Sequence, residues 1–305
     1  MITAAEVSSS ASVPWQAHPE VWLLVLSALA LGWFASKVVQ PKAIEAGYPP
    51  ITRQQKFWFF VGVGGMWLVS DWPVHDVAED HLYVVHMFQH LGLSMLLPAA
   101  FVMATPRWLL ELVIDPDGRL WKWLKQGSKP LVAGGIFNAL TLVLHWSAVV
   151  QWSADSGPVH FSFHLMVFVA GLFMWQPIIG PITEWRLQPL GQCIFLFIMS
   201  IVPTVPSGWL IFAEGVVYRH YDTPDRLFGI DVLTDQQAAG AVMKLVGGFF
   251  LWGIIVIIFA RWASGQQEQD RLARVARSAA NADTVDLTFE SVNDVFETTP
   301  APVEK

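Results

Sequence analysis

The histidines of this sequence have the spacing that a metal site needs. Two pairs lie four residues apart, His86 with His90 and His160 with His164. Residues four apart lie on one face of an α-helix, so both rings of a pair point the same way. Neutral imidazole binds zinc, copper, iron and nickel. The two pairs therefore predict a shared metal or haem site, provided that the helices that carry them pack together.

The helices that position these pairs are expected to cross a membrane. Of the 305 residues, 54% are hydrophobic and only 14% are charged, whereas a soluble domain contains about 25% charged residues. We expect the sixth helix to kink or break at Pro203 and Pro206, because proline removes a backbone donor. The prediction is an all-α, polytopic membrane protein with seven transmembrane helices, at 20–39, 57–72, 81–104, 131–150, 160–179, 189–213 and 236–261.

The basic residues predict how the chain is oriented. Cytoplasmic loops are enriched in lysine and arginine, and most of the 18 such residues lie on one side when the N-terminus is placed outside. The prediction is N-out and C-in, with an extracytoplasmic segment at 1–19, a seven-helix domain at 20–262 and a short cytoplasmic tail at 263–305. We expect the tail to be helical through about Arg277 and disordered over 281–305, where the sequence is acidic.

All nine histidines fall on the outer side or in the outer half of a span in this topology. At about 1.5 Å of rise per residue, His86, His145 and His164 lie roughly 7–10 Å below the outer surface, and Met243 lies at a similar depth. Polar residues within a span are costly, so they indicate function. The candidate metal ligands are His86, His90, His145, His160, His164 and Met243.

The donor set favours copper and leaves other cofactors open. Imidazole suits copper and thioethers select Cu(I), while the single cysteine, Cys193, excludes thiolate clusters. Paired histidines on facing helices are also typical of a membrane cytochrome b, and their spacing resembles part of a di-iron oxygenase site. A scaffold that uses its histidines only for contacts at the outer surface is a further alternative. A net charge of −7 excludes a nucleic-acid partner.

A run around the first histidine pair resembles a known family. It reads Ser70-Asp71-Trp72-Pro73 and continues through Ala78-Glu79 to His86-Met87-Phe88-Gln89-His90. This pattern is similar to that of the caa3-type cytochrome c oxidase assembly factors (CtaG-like), whose third span carries a His-Met-x-Gln-His motif. The resemblance covers about 15–262. Further matches are His145, His160 and His164 with Gly171-Leu172-Phe173-Met174-Trp175, Tyr218-Arg219-His220-Tyr221, Asp235-Gln236-Gln237, Gly240 and Met243.

The resemblance implies a multi-pass protein of the bacterial plasma membrane that helps to make active cytochrome c oxidase and is not an enzyme. It implies that copper is delivered to the CuB centre of the catalytic subunit, with other copper chaperones and membrane lipid as further partners. We expect the metal to arrive from the outer face, guided by acidic residues and loop histidines, and its ligands to be oriented by nearby polar groups. These residues are Asp71, His75, Asp76, Glu79, Asp80, His81, Gln89, His220, Asp235 and Gln237.

One departure from the family pattern bears on the metal site. Lys244 follows Met243 where a tryptophan is common. An ammonium group about 12 Å below the surface opposes a nearby copper cation. We therefore expect Lys244 to be deprotonated, to pair with Asp71 or Asp235, or to point away from the site.

Overall fold

The predicted all-α fold is confirmed. The computed structural model describes residues 13–224, 226–283 and 289–298, and within them every regular element is helical. Short 3-10 helices lie at Thr183–Trp185, Arg219–Tyr221 and Leu227–Gly229. The longer helices are α1 (Pro19–Glu45), α2 (Arg53–Ser70), α3 (Val74–Asp80), α4 (Tyr83–Ala104), α5 (Arg107–Val113), α6 (Arg119–Gly127), α7 (Pro130–Leu144), α8 (Ser147–Ala154), α9 (Gly157–Ile179), α10 (Pro189–Ile201), α11 (Thr204–Ile211), α12 (Val232–Asp283) and α13 (Phe289–Thr298).

The protein is a multi-pass membrane protein. Five stretches are long and apolar enough to cross a membrane, namely α1, α4, α9, α10 with α11, and most of α12. A sixth span arises if α6 and α7, which are bent by 70°, are taken together. The predicted span at 57–72 corresponds to α2, which ends at Ser70. This helix starts with Arg53-Gln54-Gln55-Lys56 and is therefore less apolar over its 18 residues. The count of seven spans stays a prediction.

Two of the predicted spans are interrupted close to the candidate ligands. The apolar segment 131–150 is not one helix, because α7 ends at Leu144 and α8 begins at Ser147. His145 therefore lies at a helix end rather than inside a continuous span. The expected break in the sixth segment is confirmed, since α10 ends at Ile201 and α11 begins at Thr204.

Local sequence explains where several helices begin. The side chain of Thr52 accepts a hydrogen bond from Gln55 N at 3.1 Å, and the Gln55 side-chain oxygen accepts one from Thr52 N at 2.9 Å. This reciprocal arrangement is a capping box, which satisfies two free donors at the start of α2. Pro158 and Pro189 lie in the first turns of α9 and α10. At these positions a backbone N–H would have no acceptor within the helix, so proline costs no hydrogen bond.

The two helices that carry the histidine pairs approach each other closely. A Cβ atom at Gly171 of α9 would lie only 2.2 Å from Ser94 O of α4, so this contact requires glycine. Four residues further along α9, the buried Trp175 indole donates from Nε1 to Met95 O at 2.7 Å. Gly171 follows His164 by two helical turns. The contact therefore fixes how the helix of the second pair lies against the helix of the first.

Residues from Ile257 onward form a second unit. It contains the end of α12, which continues to Asp283, and α13. The sequence predicted helix only to about Arg277 and disorder over 281–305, whereas Phe289–Thr298 is helical, with Phe289, Val292 and Phe296 repeating at helical spacing. The remaining parts of the predicted termini, residues 1–12, 284–288 and 299–305, lie outside the described residues.

Candidate metal centre

Three imidazole rings from two helices converge at one point. His86 comes from α4, and His160 and His164 come from α9. One ring nitrogen of each lies within 4.8 Å of the others. His86 Nδ1, His160 Nε2 and His164 Nε2 are buried and have no hydrogen-bond partner among the described residues. Buried polar atoms are normally paired, so the three rings together form a site that a metal ion would complete. We call it the three-histidine cluster.

A serine outside the predicted set orients one of these rings. Ser153 Oγ lies 3.1 Å from His160 Nδ1, and both side chains are buried. A hydrogen bond at Nδ1 leaves Nε2 as the nitrogen that faces the cluster. Polar partners of this kind fix the orientation of metal-binding histidines. Sequence spacing gave no indication of Ser153, because it lies on the separate short helix α8.

Two further predicted ligands extend the cluster on one side. The His90 ring centroid lies 4.4 Å from that of His86 and 4.9 Å from that of His164. The buried His145 ring is 6.3 Å from His90, and its Nδ1 donates to Thr141 O at 2.6 Å. Its Nε2 is therefore the nitrogen left to bind a ligand. The structure thus brings all five predicted histidine ligands together in a continuous series.

Met243 lies on the far side of this series. It is 5% exposed and packs in a buried cluster with Met87 and Tyr83. It lines a cavity together with His90 and His145, and the other three histidines do not line that cavity. Met243 is therefore placed next to two of the predicted ligands but apart from the three-histidine cluster.

His75 lies beside the cluster but uses both of its ring nitrogens elsewhere. Its Nε2 donates to Glu79 Oε2 at 2.9 Å, and its Nδ1 lies 3.1 Å from the Gln89 amide nitrogen. Burial lowers the pKa of His75, but the hydrogen bond and charge of Glu79 outweigh this and leave the pKa raised. The hydrogen bond from His75 holds the pKa of Glu79 below its usual value. The contact therefore favours the charged forms of both side chains beside the three-histidine cluster.

More histidines lie around His75 and Glu79. The His18 ring centroid is 5.0 Å from that of His75, and His18 Nε2 lies 3.2 Å from Asp76 Oδ1. His75 in turn is 6.2 Å from His160. His220 Nε2 lies 2.9 Å from Glu79 O. These residues include most of the predicted path for the incoming metal.

Three residues of the predicted set make other contacts. The Asp71 carboxylate accepts a hydrogen bond from Trp67 Nε1 at 2.7 Å. The Gln237 amide donates to Ala213 O at 3.0 Å. His81 is half-buried at the end of α3. Among the described residues, none of the three side chains contacts a ring of the three-histidine cluster, so a role in orienting those rings stays a prediction.

Asp235 acts on the site through the backbone. Its fully buried carboxylate accepts hydrogen bonds from Tyr83 N at 2.8 Å and Val84 N at 2.9 Å. These two donors are free amides in the first turn of α4, where a negative charge also suits the helix dipole. His86 follows them within a single turn. Asp235 therefore ties α12 to the start of the helix that carries the first histidine pair.

The loop before α12 secures the other side of the site. The Tyr218 hydroxyl donates to His145 O at 2.7 Å. The buried Gln236 amide donates to Tyr218 O and accepts from Val217 N. These hydrogen bonds hold the backbone at the end of α7, where His145 lies. Sequence spacing alone gave no role to Gln236, because its partners are backbone groups.

The sequence profile described as the cytochrome c oxidase caa3 assembly factor matches residues 32–264. The chain belongs to this family. The resemblance inferred from the histidine motifs is thereby confirmed, and the matched range contains all the candidate metal ligands. No curated protein matches the chain, and no solved structure does.

In this assembly factor, Lys244 points towards the break between α10 and α11. Its ammonium group donates to Thr204 Oγ1 at 2.6 Å and to Ser200 O at 3.5 Å. Among the described residues it pairs with neither Asp71 nor Asp235. Of the three arrangements expected from the sequence, the structure therefore has the lysine turned away from the three-histidine cluster, with its side chain along one wall of the cavity that Met243 lines.

Proposed function

We propose that this caa3 assembly factor is a copper metallochaperone. It binds copper between His86, His160 and His164 and assists its delivery to the CuB centre of the catalytic subunit of cytochrome c oxidase. The observation that carries the proposal is that His86, His160 and His164 bring one ring nitrogen each within 4.8 Å of the others, while each ring also has a buried nitrogen without a hydrogen-bond partner among the described residues. The chain's contribution is to bind, orient and release the metal rather than to catalyse a reaction.

The donor types support copper as the metal. Three neutral imidazoles suit several divalent metals, but thioethers next to them favour Cu(I). The single cysteine, Cys193, is half-buried and directs its sulfur towards Ile255 O at 3.8 Å. Thiolate ligation therefore has no support at this site. Because imidazole must be neutral to bind a metal, we expect affinity to fall at acid pH.

We further propose the seven-span, N-out and C-in arrangement in the bacterial plasma membrane. The bias of lysine and arginine towards one side supports it. In this orientation the cluster lies in the outer half of the membrane, and the histidines and carboxylates around His75 and Asp76 lead to it from the outer face. Copper then enters from outside and reaches the partner subunit within the membrane.

The haem alternative has less support from the geometry. A haem with two axial histidines needs a porphyrin between rings on facing helices, whereas the ring centroid of His86 lies only 5.6 Å from that of His160 and 5.7 Å from that of His164. The cavity that all three of these rings line has a volume of about 30 Å³, which is room for about two water-sized ligands, while a groove of about 1190 Å³ reaches His160 and His164 but not His86. A single metal ion fits such a space.

The test is metal analysis of the detergent-purified protein after copper loading. We expect copper in the wild type, a loss of copper from the cluster in the variant His86→Ala/His164→Ala, and no Soret band. His81→Ala is the matched control, because it removes a histidine that lies apart from the cluster. A wild-type protein that stays metal-free after loading would overturn the copper site.

Oxidase assembly in cells separates a metallochaperone from a scaffold. A strain that lacks the gene is complemented with wild type or with His86→Ala/His164→Ala at matched membrane levels. The proposal predicts that the variant fails to restore oxidase activity and CuB occupancy. Full restoration by the variant would mean that the chain acts as a scaffold.

A further inference from the structure

A second cavity next to the three-histidine cluster is rich in methionine. It has a volume of about 40 Å³, which is enough for an ion with its ligands close around it. Its lining includes two imidazoles and four thioethers and contains no carboxylate. We call it the thioether cavity and define it by Met87, Met95, Met199, Met243, His90 and His145.

The thioether cavity adjoins the cavity at the three-histidine cluster. Met87, His90 and His145 line both cavities. His90 lies 4.4 Å from His86 on one side and 6.3 Å from His145 on the other, measured between ring centroids. His90 is therefore the ring that separates the two spaces, and it can contact a metal in either.

The side chains around this cavity are held in place. Met87 and Met243 are 1% and 5% exposed and belong to one buried cluster. The Tyr218 hydroxyl holds the backbone carbonyl of His145. Because His145 Nδ1 donates to Thr141 O, Nε2 remains for a ligand. The Met199 sulfur is less available to a metal, because it already accepts a hydrogen bond from the Asn138 amide nitrogen at 3.5 Å. Met87 and Met243 share one buried cluster, so these two thioethers and His145 are the donors that we assign to the site.

The charges of the side chains that line the thioether cavity favour a monovalent metal ion over a divalent one. Thioether and imidazole donors are neutral, and soft thioethers prefer Cu(I) over harder divalent ions. The charged group in the lining is Lys244, whose ammonium is hydrogen bonded to Thr204 Oγ1 and Ser200 O at one end of the cavity. A nearby cation disfavours a divalent ion more than a monovalent one. Zinc is therefore expected to bind only in the three-histidine cluster.

We propose that the thioether cavity is a second, Cu(I)-selective site formed by Met87, Met243 and His145, with His90 between the two sites. This inference rests on the proposed function, because it gives copper a holding position between uptake at the three-histidine cluster and release. Copper moves between the sites as Cu(I), so no electron transfer is involved. The cavity extends to Pro203 and Lys244 at the break between α10 and α11, which makes this break the exit.

The experiment measures metal stoichiometry in the full-length, detergent-purified protein. Samples are loaded with Cu(I) under anaerobic conditions or with Zn(II), and the copper samples are also studied by X-ray absorption. The proposal predicts two Cu(I) ions, with sulfur among the scatterers, and one Zn(II) ion per chain. The variant Met87→Leu/Met243→Leu keeps the side-chain volume and should bind one Cu(I) without sulfur scattering and one Zn(II).

Two controls keep the result specific. Met174→Leu changes a fully buried methionine of α9 that lines neither cavity, and it should keep both copper ions. His86→Ala/His164→Ala should lose the zinc ion and one copper ion and retain the sulfur-bound copper. Equal melting temperatures of the methionine variants would confirm that each is folded.

The failure of each proposal has its own signature. One Cu(I) per wild-type chain with nitrogen scattering alone, or two Cu(I) ions retained in Met87→Leu/Met243→Leu, would overturn the thioether site and leave the three-histidine site intact. One sulfur-bound Cu(I) with no zinc binding would instead overturn the three-histidine site. A wild-type protein that binds neither metal would overturn both.

Discussion

Gly171 offers a way to separate the two histidine pairs without touching a ligand. A Cβ atom at this position would lie 2.2 Å from Ser94 O and 2.6 Å from a Pro98 side-chain carbon. An ordinary contact distance is at least 3.4 Å. Gly171→Ala therefore increases the separation of α4 and α9 by about 1 Å, and this overpacking lowers the free energy of unfolding by about 1–3 kcal/mol. His86 and His164 lie about two turns away on these helices, so the cluster opens.

The assay compares unfolding free energy and metal affinity in detergent. We expect Gly171→Ala to lower both, with a loss of about 10-fold or more in affinity, because ligands set by helix packing are displaced. Gly135→Ala is the matched control, since a Cβ atom there meets no atom within 4 Å. Wild-type affinity in Gly171→Ala would refute the claim that this contact sets the distance between the pairs.

Three further substitutions test how the site is held and charged. Asp235→Ala should lower the unfolding free energy by about 2–4 kcal/mol, because it leaves the backbone amides of the buried Tyr83 and of Val84 unpaired. Asp235→Asn should lower it by less. Equal stability of the wild type and both variants would contradict the role of this cap. Ser153→Ala should weaken zinc binding about 10-fold, because it removes the hydrogen bond that orients the His160 ring. Ser162→Ala, which changes an exposed serine on α9, should leave the affinity unchanged. Equal affinities of the two variants, measured by competition with a chelator, would contradict the role of Ser153. Lys244→Leu should strengthen Cu(I) binding by on the order of 1 kcal/mol, because it removes a cation from the cavity lining without adding a donor. Unchanged competition with a Cu(I) chelator would show that the ammonium does not act on the metal.

The sequence predicted which histidines come together better than it predicted their surroundings. His86, His90, His160 and His164 were predictable because spacing of four residues fixes a helix face whatever the tertiary structure. The break before Thr204 was predictable from Pro203 for the same local reason. These features depend on neighbouring residues along the chain, and the structure confirms the break.

The features that were not predictable depend on contacts between distant segments. The apolar run 131–150 gives no sign that α7 stops at Leu144, so the helix-end position of His145 appears only in the structure. Ser153 acts through a histidine on another helix, and Asp235, which was predicted to orient a ring, instead accepts hydrogen bonds from the backbone at the start of α4. The Gly171 contact depends on how α9 lies against α4. Depth along a helix placed Met243 in the same layer as the histidines, but it could not assign the side chain to a different cavity.

The most direct test of the central claim is to locate the metal. Anomalous diffraction at the copper absorption edge, from crystals of the copper-loaded protein, reports the ion's position independently of any activity. We predict a peak between His86 Nδ1, His160 Nε2 and His164 Nε2. Copper bound only at the exposed surface, with no peak at these three nitrogens, would contradict the account.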